Sequence, residues 1–262
     1  MQHGAPLANH SRWHIGAKEL RGAIAAYAKR FDLLEVRVTV GAPGSSGVEA
    51  VAPTLATMRR WRKGVPPPFD FAVVAGPELS RVKLTAAAER ELEAARAAMD
   101  VLQARCFVLR TAPEVTPAAV WRDRIGKIFD RFPRDVTHAV WEPSGVWETE
   151  DAAAQAKAWG AVVAVDAARE AVPAGPVAYI RLRALGETRS FSPAALERVV
   201  QAVGPRREVF AILEADSALV EGKRLRQLAR AAASEGTGGK VGGASRLVRP
   251  RGDIVVRDDE QE

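Results

Sequence analysis

The sequence predicts a single (β/α)8 barrel, and three observations carry that prediction. Strand-like and helix-like stretches alternate along the 262 residues almost without exception, the pattern of parallel strands joined by crossover helices. Eight such units fit within about 220 residues, the size of one closed barrel. An open doubly wound sheet is the competing architecture, and its mark, Gly-x-Gly-x-x-Gly after the first strand, is missing.

Each element has a local reason. "WHIGA" (13–17) reads as a short first strand, and "KELRGAIAAYAKRF" (18–31) as a helix, with Leu20, Ile24, Tyr27 and Phe31 at helical spacing. "LLEVRVTV" (33–40) alternates as a strand does. "TLATMRRWRKG" (54–64) is a helix ended by Gly64, and "FDFAVVAG" (69–76) is a strand after three prolines. The run 86–103 consists of strong helix formers. "RCFVLRTA" (105–112) is the fourth strand. Thr116 and Pro117 are expected to cap and open a helix over 116–132. "THAVWEPS" (137–144), the helix 148–160 closed by Gly160, and "AVVAVDAA" (161–168) follow. "VAYIRLRAL" (177–185) is the seventh strand, "SPAALERVVQAVG" (192–204) repeats a Ser-Pro start and a Gly stop, "REVFAILEA" (207–215) is the eighth strand, and a helix over 217–233 closes the series. Residues 1–11 are expected to be a disordered arm, 12–233 the barrel, and 234–262 a disordered, Gly-rich and then charged tail.

Composition narrows the functional classes. The formal charge is +6; the tail from Ser234 carries −1, so the body holds +7. A basic body favours anionic partners, either phosphorylated small molecules or nucleic acid. Cys106 is the only cysteine, so no intrachain disulfide can form. The N-terminus has no basic-then-apolar signal pattern, and no apolar run is long enough to span a membrane. The expectation is a cytoplasmic protein with no membrane partner. The four histidines are His3, His10, His14 and His138; two lie in the arm and two near strand starts. They do not make a zinc site at the mouth. No Ser–His–acid set is present, Cys106 has no neighbouring base, and "GTGGKV" lacks the spacing of a phosphate loop. No motif asks for a cofactor, and Mg²⁺ held by carboxylates at the mouth stays open as an alternative to proton transfer.

Candidate site residues follow from the two-residue period of each strand. In the second strand Val36, Val38 and Val40 must meet the helices, which turns Glu35, Arg37 and Thr39 toward the barrel axis. The same parity points Arg110, Glu142, Asp166, Arg181, Arg183 and Glu214 inward near the C-terminal ends of their strands. That is the end where sites of this fold lie. Charges there must pair with one another or with a ligand. Glu35, Glu142 and Asp166 are the candidates for managing protons, and Arg37, Arg110, Arg181, Arg183 and Glu214 for binding. The loop "GAPGSSG" (41–47) would lie at the same end, where its backbone N–H groups could meet an anion. "MRRWRKG" (58–64) is read as Trp61 on the barrel with its cations in water.

In order and spacing, "AYAKRFDLLEV", "MRRWRKGVPPPFDFAV", "WEPSGVW", "VVAVD" and "VAYIRLRALG" resemble the YecE-like family, domain of unknown function 72. The resemblance covers roughly residues 14–232 and implies a (β/α)8 barrel with a polar mouth, without an established activity. It matches Glu35, Glu142, Asp166 and Arg181 to polar residues typical of the family's strands. It also implies departures. "VRVTV" stands where members often carry Asn-Ser-Thr-Phe-Tyr, Val74 and Ala75 where a Lys is expected, Arg183 and Ala184 where His-Gly is common, and Glu214 and Ala215 where two Asn are usual. The resemblance thus leaves two expectations: a divergent barrel with its own anionic ligand, or a catalytically inactive member acting as a binding or interaction protein.

Overall fold

Alternation of β-branched and small or polar residues makes each strand two-faced, and both faces are used. In a computed structural model describing residues 11–38, 52–133, 137–205 and 207–238, the strands are β1 (Arg12–Ala17), β2 (Leu33–Arg37), β3 (Asp70–Val74), β4 (Cys106–Arg110), β5 (His138–Glu142), β6 (Val162–Val165), β7 (Val177–Arg183) and β8 (Glu208–Glu214). Every hydrogen-bonded pair is parallel, in the order β1-β8-β7-β6-β5-β4-β3-β2. The helices are α1 (Ile24–Tyr27), α2 (Leu55–Lys63), α3 (Pro77–Ser80), α4 (Ala86–Leu102), α5 (Ala119–Phe129), α6 (Thr149–Ala158), α7 (Pro193–Val203) and α8 (Ala218–Gly238). This is the expected (β/α)8 barrel, nearly closed.

Closure falls between β1 and β2, and a tyrosine completes it. Asp32 N–H donates to the Ile15 carbonyl (2.9 Å). The Tyr27 hydroxyl accepts from Ala17 N–H (2.8 Å) and donates to the Leu33 carbonyl (2.9 Å). Gly16 lets the two backbones approach, since a Cβ there would lie 2.4 Å from the Leu33 oxygen. Burial raises the Tyr27 pKa well above the ordinary phenol value, so the proton that bridges the seam stays in place.

Outward-facing residues such as Ile15, Val36, Phe71, Val73, Phe107, Leu109, Trp141, Ile180, Leu182 and Leu213 pack under the helices. Inward-facing Leu33, Ala72, Val74, Cys106, Val108, Val140, Ala164, Tyr179, Phe210 and Ile212 form a separate plug, so the barrel interior is filled and a ligand can reach only its ends.

Four local expectations are corrected. The helix foreseen over 18–31 is one turn, Ile24–Tyr27. Lys18 N–H continues the strand pairing by donating to the Leu213 carbonyl (3.0 Å), and Gly22 takes φ +79°, so the chain leaves β1 extended. The fifth helix begins at Ala119 with Ala118 as N-cap, not at Thr116. Val115 is fully buried there and its carbonyl accepts from Trp147 Nε1 (2.6 Å), which holds the preceding turn in a loop. A short helix, α3, follows β3 where none was foreseen; the buried Glu91 carboxylate from α4 accepts from its Leu79 N–H (2.9 Å). The last helix runs to Gly238 rather than stopping at residue 233, with the Ser234 hydroxyl donating to the Ala231 carbonyl (2.7 Å). The N-terminal arm to residue 10, Thr39, Val40, the loop 41–47 and the tail beyond 238 lie outside the described residues.

Candidate functional site

At the C-terminal end of the strands, the side chains that parity turned inward meet in one cage. Arg181, at the centre of β7, is 1% exposed. It grips Glu35 of β2 with both ends of its guanidinium, Nη2 to Oε1 at 2.6 Å and Nη1 to Oε2 at 3.0 Å. Its Nε donates to Glu142 Oε2 of β5 and its Nη1 to Glu214 Oε1 of β8, each at 3.0 Å. One guanidinium thus holds three carboxylates from three strands. The Tyr179 hydroxyl, two residues earlier on the same face, adds a short bond to Glu35 Oε1 (2.5 Å).

Two further arginines close the cage from outside. Arg110 Nε of β4 lies 3.1 Å from Glu142 Oε2. Arg183 Nη2 donates to Glu142 Oε1, and Arg183 Nε lies 3.8 Å from Glu214 Oε2. Three carboxylates therefore face three guanidiniums, and the cage is neutral within itself. Its members differ in access: the side chains of Arg110 and Arg183 are 31% and 40% exposed, against 2% for Arg181. Arg37 lies exposed at the end of β2, outside the cage.

The electrostatics follow from this packing. Burial opposes ionisation of Glu35, but the Arg181 guanidinium overrides it and holds the carboxyl below its ordinary range. Burial alone would loosen the Arg181 proton; Glu35 and Glu142 reverse that and bind it more tightly. Burial, reinforced by the Glu35 charge, lifts Tyr179 well above the ordinary phenol value.

Asp166 stands apart from the cage, just past β6. Its Oδ1 accepts from Ala168 N–H (3.1 Å), and Arg169 Nη1 donates to its Oδ2 and to the Arg183 carbonyl (2.8 Å). Between Asp166 and the cage lies a cavity of about 110 Å³, bordered by Glu142, Ser144, Trp147, Asp166, Glu170 and Arg183. Among the described residues, no group of three or more His, Cys, Asp or Glu side chains is disposed to hold a metal ion.

A second cluster, at the opposite end of the barrel, escaped sequence reasoning. His14 lies between Asp70 (Nδ1 to Oδ2, 2.5 Å) and Glu208 (Nε2 to Oε1, 3.1 Å), and Phe210 stacks on its ring. Glu208 also accepts from Arg105 Nη2 (2.8 Å) and faces His138 Nε2 (3.4 Å). Burial works against Glu208, yet Arg105, His14 and His138 hold its carboxyl low. The strand period was the available signal: Glu208 shares the inward face of Glu214 on β8, as Tyr179 shares that of Arg181 on β7. Cys106 is fully buried in the interior plug, with its thiol pushed well up by burial. In the basic stretch of α2, Arg62 donates to the Phe69 (2.9 Å) and Pro66 (3.2 Å) carbonyls and lies over the Phe71 ring, while Trp61 packs on the core.

Eight parallel strands around a filled interior, with a polar cage at their C-terminal ends, define this molecule as a (β/α)8 barrel. The family model "Protein of unknown function DUF72" matches residues 11–240, and the chain belongs to that family. A DUF72 protein from Thermotoga maritima is similar in structure, with a TM-score of 0.65 at 12% identity over 84% of this chain and 99% of that one. A DUF72 protein from Enterococcus faecalis gives 0.62 at 15% identity over 85% and 99%. A xylose isomerase domain-containing protein from Salmonella typhimurium gives 0.54 at 15% identity over 86% and 97%. At these identities the likeness is one of fold. No curated protein matches the chain.

Proposed function

We propose that the mouth binds an anionic, phosphate-bearing small molecule, with Arg183 and Arg110 meeting the anion and Arg181 positioning the carboxylates beneath them. One observation carries this reading: the division of labour among the three arginines. Arg181 is buried, and its donors are taken up by Glu35, Glu142 and Glu214. Arg183 and Arg110 stand at the solvent side and keep N–H groups free of the carboxylates they touch. A guanidinium has five donors in a planar fork that matches phosphate oxygens.

The same geometry favours binding over acid–base chemistry at Glu35 and Glu142. Both are engaged by guanidiniums, and Glu35, held below its ordinary range by Arg181, accepts a proton poorly. Asp166, at the edge of the cavity, is the remaining candidate for proton transfer. A cytoplasmic setting fits the single, buried cysteine, and no helix among the described residues is long and apolar enough to cross a membrane.

The test is a thermal-shift and calorimetric screen with inorganic phosphate, nucleotides, sugar phosphates and a labelled oligonucleotide. A phosphate-bearing ligand should stabilise the wild type. Arg183→Ala should weaken it on the order of 10- to 150-fold, the worth of a charge-assisted hydrogen bond, with little change in the denaturation midpoint. An oligonucleotide bound with a steep salt dependence and no response to Arg183→Ala would point to a surface polyanion site instead. Stability loss without affinity loss in Arg183→Ala would sink the anion reading.

A further inference from the structure

We infer that the cavity between Asp166 and Arg183 takes the hydroxyl-bearing end of the ligand, so that the ligand class is a small phosphorylated polyol. This rests on the anion reading above and assigns the space beside it.

Size comes first. The cavity measures about 110 Å³, several times the roughly 10–15 Å³ of such space that one water requires. It has room for the hydroxyl-bearing end of a small molecule.

The lining then selects the chemistry. Asp166 and Glu170 border the cavity as carboxylates, and neither has its accepting capacity exhausted. Asp166 accepts from Ala168 N–H and Arg169, and Glu170 Oε1 accepts from Asp166 N–H (3.2 Å). Each ionised carboxylate offers about four lone-pair sites. Arg183 supplies donors on the facing side. Ser144 gives its proton to the Thr111 carbonyl, so toward the cavity its oxygen is an acceptor. The Trp147 indole N–H is spent on the Val115 carbonyl (2.6 Å), so that wall presents only ring carbon.

Three kinds of occupant can be weighed against this lining. A second anion would face Asp166 and Glu170. An ammonium would face Arg183, with Arg181 behind it. Neighbouring hydroxyls on a short carbon chain donate to the carboxylates, accept from Arg183, and lay their C–H groups on Trp147. Of the three, hydroxyls meet both the donating and the accepting walls. The phosphate of such a molecule would project toward Arg183 and Arg110.

The experiment compares binding of inorganic phosphate, glycerol 3-phosphate and O-phosphoethanolamine by titration calorimetry. Glycerol 3-phosphate should bind at least about tenfold more tightly than phosphate, the gain of one or two net hydrogen bonds. Glu170→Gln and Asp166→Asn should each erode that advantage, read as the ratio of glycerol 3-phosphate affinity to phosphate affinity in the same variant. Glu170 is exposed, so its variant tests the site even if Asp166→Asn, at a buried position, fails to fold. Equal affinity for phosphate and glycerol 3-phosphate would overturn the polyol inference and leave the anion reading standing. Tighter binding of phosphoethanolamine would overturn it in favour of an ammonium. Failure of all three probes to bind would remove both.

Discussion

Arg181 and Glu35 face each other across the barrel with two parallel N–H···O contacts of 2.6 and 3.0 Å, although 146 residues separate them in the chain. The pair is almost fully desolvated, and Glu142 and Glu214 share the same guanidinium. Removing it leaves three carboxylates near one another without their common counter-charge. Arg181→Ala should therefore destabilise the protein by about 3–5 kcal/mol. Arg181→Lys should also destabilise, because an ammonium cannot reproduce the bidentate grip. Urea melts of both variants check this; a loss below about 1 kcal/mol in Arg181→Ala would show that the carboxylates find other partners.

Acid should weaken the fold partly through Glu35. Its folded-state pKa lies below the ordinary 4.5, because Arg181 outweighs burial. In the window between the two values the unfolded chain binds more protons, so stability rises with pH there. The contribution is complete above the unfolded value and is lost as pH falls through the folded one. Glu208 has the same sign, whereas Glu91, lifted by burial, has the opposite sign. The measurement is therefore a difference: stability from pH 6 to about pH 3 should fall less steeply in Glu35→Gln than in wild type. Parallel curves would contradict the shift.

The seam between β1 and β2 depends on a hydroxyl. Tyr27→Phe leaves the ring among Phe31 and Phe69 but removes the partner of Ala17 N–H and of the Leu33 carbonyl. A loss of about 1–3 kcal/mol is expected, the cost of unpaired buried polar groups. Amide exchange should quicken at Ala17. Unchanged protection there would mean that water or the strands themselves replace the bridge.

Cys106 should behave as a core residue. It is fully buried, and burial raises its thiol well above the ordinary value, so little thiolate forms at neutral pH. A disulfide reagent should modify no thiol in the native protein and one per chain in denaturant. Rapid native reaction would show that the plug opens, since no other cysteine exists in the chain.

The barrel and the inward set of charged residues were legible in the sequence because both follow from short-range periodicity. A strand's parity is decided by its neighbours: once Val36 and Val38 must meet helices, Glu35 has to face the axis, and the same holds for Arg181 between Ile180 and Leu182. Start and stop residues were legible for the same reason where capping is local, as at Thr54 and Ser192, whose side chains accept from Thr57 and Ala195 N–H. What parity cannot assign is depth and partnership. Arg181 and Arg183 share a face, yet one is sealed under three carboxylates and the other stands half-exposed, because desolvation depends on β2, β5 and β8 arriving around β7. The collapse of the first helix to a single turn, the capping of α3 by Glu91 and the cluster of His14 with Asp70 and Glu208 are likewise long-range. Each is set by a contact between segments distant in the chain, and only the closed barrel brings those segments together.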